Sequence, residues 1–111
     1  MDKRQSLLEE IGKTNDINLP NLIAEIYEMY TKETNNFLKK WQKGCIINAI
    51  TAYYAGLNSP PFFRLCRTNL ELALELEENI SKDPKYLPLL NKYDGISEDI
   101  LNDTIQQLGS Q

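Results

Sequence analysis

Apolar residues between Leu19 and Leu57 recur at steps of three and four: Leu22/Ile23, Ile26/Tyr27, Tyr30, Phe37/Leu38, Trp41, Cys45, Ala49/Ile50 and Tyr53. Those steps are the α-helical period, and no proline interrupts them after Pro20. The stretch 19–56 is therefore expected to be one long helix onto which the rest of the chain folds. It has two weak places. The stripe lapses over Thr31–Asn36, where Thr34 alone keeps phase. Tandem Asn35-Asn36 and Gly44 each lower helix stability by some tenths to ~1 kcal/mol. A straight helix of this length would measure ~52 Å, too long for a compact domain of 111 residues. One bend, near 33–36 or near 44, is expected.

Shorter helical patterns flank this stretch. Residues 3–11 offer Leu7, Leu8 and Ile11 as an apolar side, with Gly12 as the stop. Asn18 suits an N-cap, and Pro20 falls in the first turn, where its missing N–H does no harm. The run Gly56-Leu57-Asn58-Ser59-Pro60-Pro61 reads as helix end, cap and helix start, and a turn this short lays the next helix antiparallel on the first. That helix, 60–80, places Phe62, Leu65, Cys66, Leu70, Ala73, Leu76 and Ile80 on one side and Glu71, Glu75 and Glu78 on the other. Asp83-Pro84 opens a short helical segment, 84–93, which Pro88 limits to a turn or two. Ser97 caps a last helix, 98–108, with Glu98 and Asp99 at its positive end and Ile100, Leu101, Ile105 and Leu108 as its apolar side. Nothing alternates with period two. The expectation is an all-α fold, a small bundle of four to five helices forming a single domain over residues 1–111.

Composition narrows the functions. Apolar residues make up 41% and charged residues 25%, ordinary for a globular domain. The formal net charge is −4, with a pI near 4.8. Residues 1–43 hold seven Lys/Arg and seven Asp/Glu, whereas residues 44–111 hold five and nine, so the excess acid lies in the second half. Such a balance makes nucleic acid an unlikely partner, since duplex binding needs a basic face. There is no histidine, which removes Ser-His-Asp and Cys-His catalysis and imidazole metal sites. The first residues lack a signal-peptide pattern, no apolar run is long enough for membrane insertion, and two cysteines make no disulfide framework. A cytoplasmic setting with free thiols follows as the expectation.

Each candidate for chemistry has a competing structural reading. Lys39, Lys40 and Lys43 surround Trp41 and could contact an anion or nucleic acid. Because Phe37, Trp41 and Cys45 share one stripe, the favoured reading puts Trp41 in the core and the lysines on a solvated outer face. Arg64 and Arg67 lie about two turns away from them once the hairpin is folded. Glu71, Glu75, Glu77 and Glu78 could suit a hard cation, but they read as a solvated face without facing ligands. Cys45 and Cys66 are offset by ~7.5 Å along their helices, on axes roughly 8–10 Å apart. A bridge needs Cα atoms within about 7 Å, so two buried free thiols are expected. No cofactor or metal motif is present.

The aromatic pairs Tyr53-Tyr54 and Phe62-Phe63 flank the hairpin turn. Neighbours on a helix point ~100° apart, so one member of each pair should enter the core and the other the rim. Tyr54 and Phe63 are taken as the outward members, and all four residues form a candidate partner-binding patch. The segment Ala49-Ile50-Thr51-Ala52-Tyr53-Tyr54, followed by a proline-opened helix, is similar to the small helical-bundle immunity proteins that protect bacteriocin producers. The similarity spans about a tenth of the chain. It implies a factor that neutralises a basic toxin, although many members of that family are basic and this chain is acidic. The first expectation is a non-enzymatic cytosolic module that binds a protein partner or a second copy of itself. A small-ligand carrier or enzyme is the remaining class. It requires a concave pocket with convergent polar groups, and no catalytic set can be nominated for it.

Overall fold

Side-chain caps open the helices that start at Lys3, Asn36 and Glu98 in the computed structural model, which describes residues 2–75 and 83–109. Asp2 accepts the Gln5 N–H and opens α1, Lys3–Lys13. A single 3-10 turn over Asp16–Asn18 leads into α2, Leu19–Lys32, with Pro20 in its first turn. The expected bend is a full break. The Glu33 carboxylate accepts the N–H groups of Thr34 and Asn35, and the Asn35 side chain accepts those of Phe37 and Leu38. These side chains supply the donors of the new first turn with partners. The long expected helix is thus two helices, α2 and α3, the latter spanning Asn36–Asn58.

At 23 residues, α3 is ~34 Å long, comparable to the largest dimension of the molecule, 35 Å. It is the central helix. All of Trp41–Ile46 is buried, which is more than a full turn and includes Gln42 and Lys43. Helices α2, α4 (Phe62–Leu74), α5 (Leu87–Asp94) and α6 (Glu98–Gly109) all pack against it, α4 along the greatest length. The core centres on Ile23, Ile26, Tyr30, Cys45, Ile46, Ile50, Cys66, Leu70 and Leu101. No helix among the described residues is long and apolar enough to cross a membrane.

Several expectations about single residues are corrected. Phe37, Phe62, Leu65 and Ile100, expected on apolar sides, are 53%, 44%, 48% and 57% exposed. Phe37, Phe62 and Ile100 lie in first helical turns, and Leu65 lies on a side of α4 away from its buried residues Cys66, Leu70 and Leu74. Leu76, Ile80, Glu77 and Glu78 lie outside the described residues. Gly12 and Gly56 do not stop helices, since both lie inside them and no glycine has a positive φ. Gly44 does not bend α3. The short segment has the expected length, eight residues or about two turns, but Pro88 sits in the first turn of α5 rather than in its interior. Ser97 does accept the Ile100 N–H as a cap.

The end of α1 is closed by a side chain from across the molecule. Arg67 on α4 donates to the carbonyl oxygens of Ile11 (2.8 Å) and Thr14 (3.0 Å) and pairs with the Asp16 carboxylate. It thereby takes up a carbonyl that a helix end leaves without a partner. Replacing Arg67 by alanine should lower stability by about 2 kcal/mol. Lysine should recover only part of that, because one ammonium cannot reproduce the guanidinium fork. The midpoint of urea unfolding measures both, and an unchanged midpoint for the alanine variant would contradict the clamp.

Candidate functional site

The chain places its unusual surface features in two regions. The first is the hairpin end formed by the α3 C-terminus and the α4 N-terminus. Tyr53 is buried. Phe63 is half-buried, its ring 5.9 Å from that of Tyr53. It also lies against Gly56, where an added Cβ would meet the ring at 2.6 Å. Phe63 is therefore the inward member of its pair, and Phe62 the exposed one, the reverse of the expectation. Tyr54 is half-buried, with its ring 5.7 Å from Tyr53. The reversal has a simple cause. Phe63, Cys66, Leu70 and Leu74 are spaced helically, and so are Phe62, Leu65 and Leu72; the packing of α3, with α1 and α2, decides which set is covered.

The uncovered set makes an apolar stripe. Leu57 at the end of α3 is 56% exposed, and Leu65 and Leu72 on α4 are 48% and 37% exposed, in line with Phe62. Between Leu65 and Leu72, Asn69 is turned back, its amide donating to the Leu65 carbonyl at 2.9 Å. Arg64, Thr68, Glu71 and Glu75 flank the stripe on the solvent side of α4.

The second region is a cleft of about 340 Å³ where the first turns of α3 meet α2, the end of α5 and the start of α6. Trp41 is in the core, as expected, donating from Nε1 to the Leu72 carbonyl at 3.1 Å and standing edge-on to Tyr86. The lysines around it do not solvate an outer face. Lys39, Lys40 and Lys43 all line the cleft. Lys39 donates to the Tyr30 carbonyl at 3.3 Å with its Nζ 4.4 Å from the Tyr30 ring centre. Lys40 pairs at 3.3 Å with Asp94, whose side chain is 64% exposed. Lys43 is only 9% exposed and has no hydrogen-bond or ion-pair partner among the described residues.

The opposite wall carries Asp94 and Glu98. Glu98 accepts the Tyr30 hydroxyl, and burial together with this carboxylate raises the Tyr30 pKa well above its ordinary value. Arg67, engaged on α1, takes no part in the cleft. The two cysteines are buried and unbridged, and burial raises both thiols to about 12. Sequence spacing brought the three lysines onto adjacent turns, but Tyr30, Asp94 and Glu98 come from other helices and no local pattern marks them. Comparison with protein-family models, with curated proteins and with solved structures gives no significant match to this chain.

Proposed function

We propose that the chain is a non-enzymatic protein–protein interaction module, that its docking surface is the stripe Leu57, Phe62, Leu65 and Leu72, and that the partner it fits is a second copy of itself. The exposure of three large apolar side chains at helical spacing on α4, with a fourth, Leu57, exposed at the end of α3, carries this reading. Single exposed leucines are ordinary, whereas a contiguous apolar row bordered by polar residues is the pattern of an interaction surface. Of the aromatic candidates, Phe62 would make direct contact, Tyr54 would stand at the margin, and Tyr53 and Phe63 would support the stripe from beneath.

Charge favours self-pairing. Two α4 helices set antiparallel about a two-fold axis near residues 68–69 would place Leu65 against Leu72 of the other copy. The same register brings Arg64 within a turn of the other copy's Glu71 and Glu75, and the two-fold axis repeats the contact. One short helix per copy buries an area at the low end for specific interfaces, so the pairing should be reversible and concentration-dependent. The buried free thiols suit a reducing cytoplasm.

Introducing charge on the stripe tests the surface. Leu65→Asp combined with Leu72→Asp should abolish association in sedimentation velocity while lowering stability by about 1 kcal/mol, through helix propensity and the partial burial of both leucines. Arg64→Glu should weaken association, and adding Glu71→Arg to it should restore part of the loss. A double aspartate variant that associates like the parent would refute this surface.

A further inference from the structure

We propose that the cleft lined by Lys39, Lys40 and Lys43 is a binding site for a phosphate group, with Lys43 as its fixed anchor. This site lies apart from the α4 stripe and does not rest on the self-pairing reading. Lys43 is nine-tenths buried and opens into the cleft without a counter-charge of its own. Its stem packs inside while its ammonium faces the cleft, as a lysine turns its charged head toward water, so the charge is open to an anion that enters.

The other charges in the cleft are arranged so that an anion can enter. Among the described residues, three lysines face two carboxylates, leaving one net positive charge there in a chain whose formal charge is −4. Glu98 is occupied by the Tyr30 hydroxyl and is held against the α2 wall. Asp94 is mostly in water, so its pairing with Lys40 is one that solvent can replace. An incoming dianion would draw Lys40 from Asp94 to join Lys43, and the Asn36 side chain on the same rim can add a donor. The cleft contains no arginine. Planar carboxylates are best matched by the guanidinium fork, whereas separate ammonium groups act as point charges and suit a tetrahedral oxyanion.

Inorganic phosphate titrated into isotope-labelled protein at low ionic strength, with chloride as the competing anion, tests the site. Saturable amide shifts are expected, confined to residues 36–43 and 93–98. Lys43→Met should weaken the response at least about tenfold, a factor equivalent to one charged contact. Asp94→Asn, an exposed change that removes a competing carboxylate, should tighten it several-fold, and Lys13→Met on α1 should leave it unchanged. Asp94→Asn keeps the test decisive should Lys43→Met fold poorly. Unsaturable shifts spread over the whole surface, full binding by Lys43→Met, or no gain in Asp94→Asn would each overturn the proposal.

Discussion

Replacing Gly44 by alanine is expected to destabilise the protein by about 3 kcal/mol, the upper range for overpacking a core. A Cβ at this position would lie 2.1 Å from Cγ of Tyr93, and its other ring atoms are almost as close. Cγ is the root of the ring, so the side chain cannot swing aside; α5 itself must move. Tyr93 is also tied down by its contacts, with the Asn48 amide donating to its hydroxyl at 3.1 Å and its ring 5.7 Å from that of Trp41. Shifting α5 therefore disturbs the packing around Trp41 as well. Gly12→Ala is the matching control. Nothing lies within 4 Å of its added Cβ, so alanine should stabilise α1 by up to ~1 kcal/mol through helix propensity. Denaturant midpoints for the two variants should move in opposite directions. Equal and small effects would mean that α5 does not sit on α3 as described.

Alkaline pH should weaken the fold on the order of 5 kcal/mol between pH 8 and 11. Burial raises the thiols of Cys45 and Cys66 to about 12 from an ordinary 9.0, and it raises the hydroxyls of Tyr30 and Tyr93 as well. In each case the folded chain keeps a proton that the unfolded chain loses. The stabilising contribution is complete below pH ~9, where unfolded thiols are still protonated, and it is lost as pH rises toward 12. Each thiol contributes about 1.4 kcal/mol per pH unit inside that window. Urea unfolding at pH 8, 9, 10 and 11 should show the decline, and a Cys45→Ala, Cys66→Ala variant should start lower and decline less steeply. A flat profile to pH 11 would contradict the burial of both thiols. In the same way, a thiol reagent should label neither cysteine in the native protein at neutral pH, since the reactive thiolate is suppressed.

Periodicity and punctuation carried most of the fold. The spacing of Leu22, Ile23, Ile26 and Tyr30 defines α2, the Ser97 cap defines the start of α6, and the Thr31–Asn36 lapse marks the break that Glu33 and Asn35 complete with their side chains. Glycine departs from the local rules for a physical reason. Local rules treat it as a helix weakener or stop, but Gly44 and Gly56 lie inside α3 because the rings of Tyr93 and Phe63 come within Cβ distance. Those partners are long-range and invisible in any window. The same holds for the surface. A one-sided stripe describes α2 well but not α3, which is buried on every side over Trp41–Ile46. On α4 two helically spaced apolar sets compete, and the packing against α3 buries Cys66 and Leu70 while leaving Phe62 and Leu65 in solvent. The lysines were legible as a cluster, but the walls that make them a cleft come from α2, α5 and α6.

Association through the apolar stripe of α4 is the central functional claim, and solution mass by light scattering across a concentration series addresses it most directly. The mass should rise reversibly from 12.8 kDa toward twice that value, with the rise absent in the Leu65→Asp, Leu72→Asp variant. A mass that stays at 12.8 kDa up to roughly 1 mM, the limit of weak specific pairing, would contradict self-pairing.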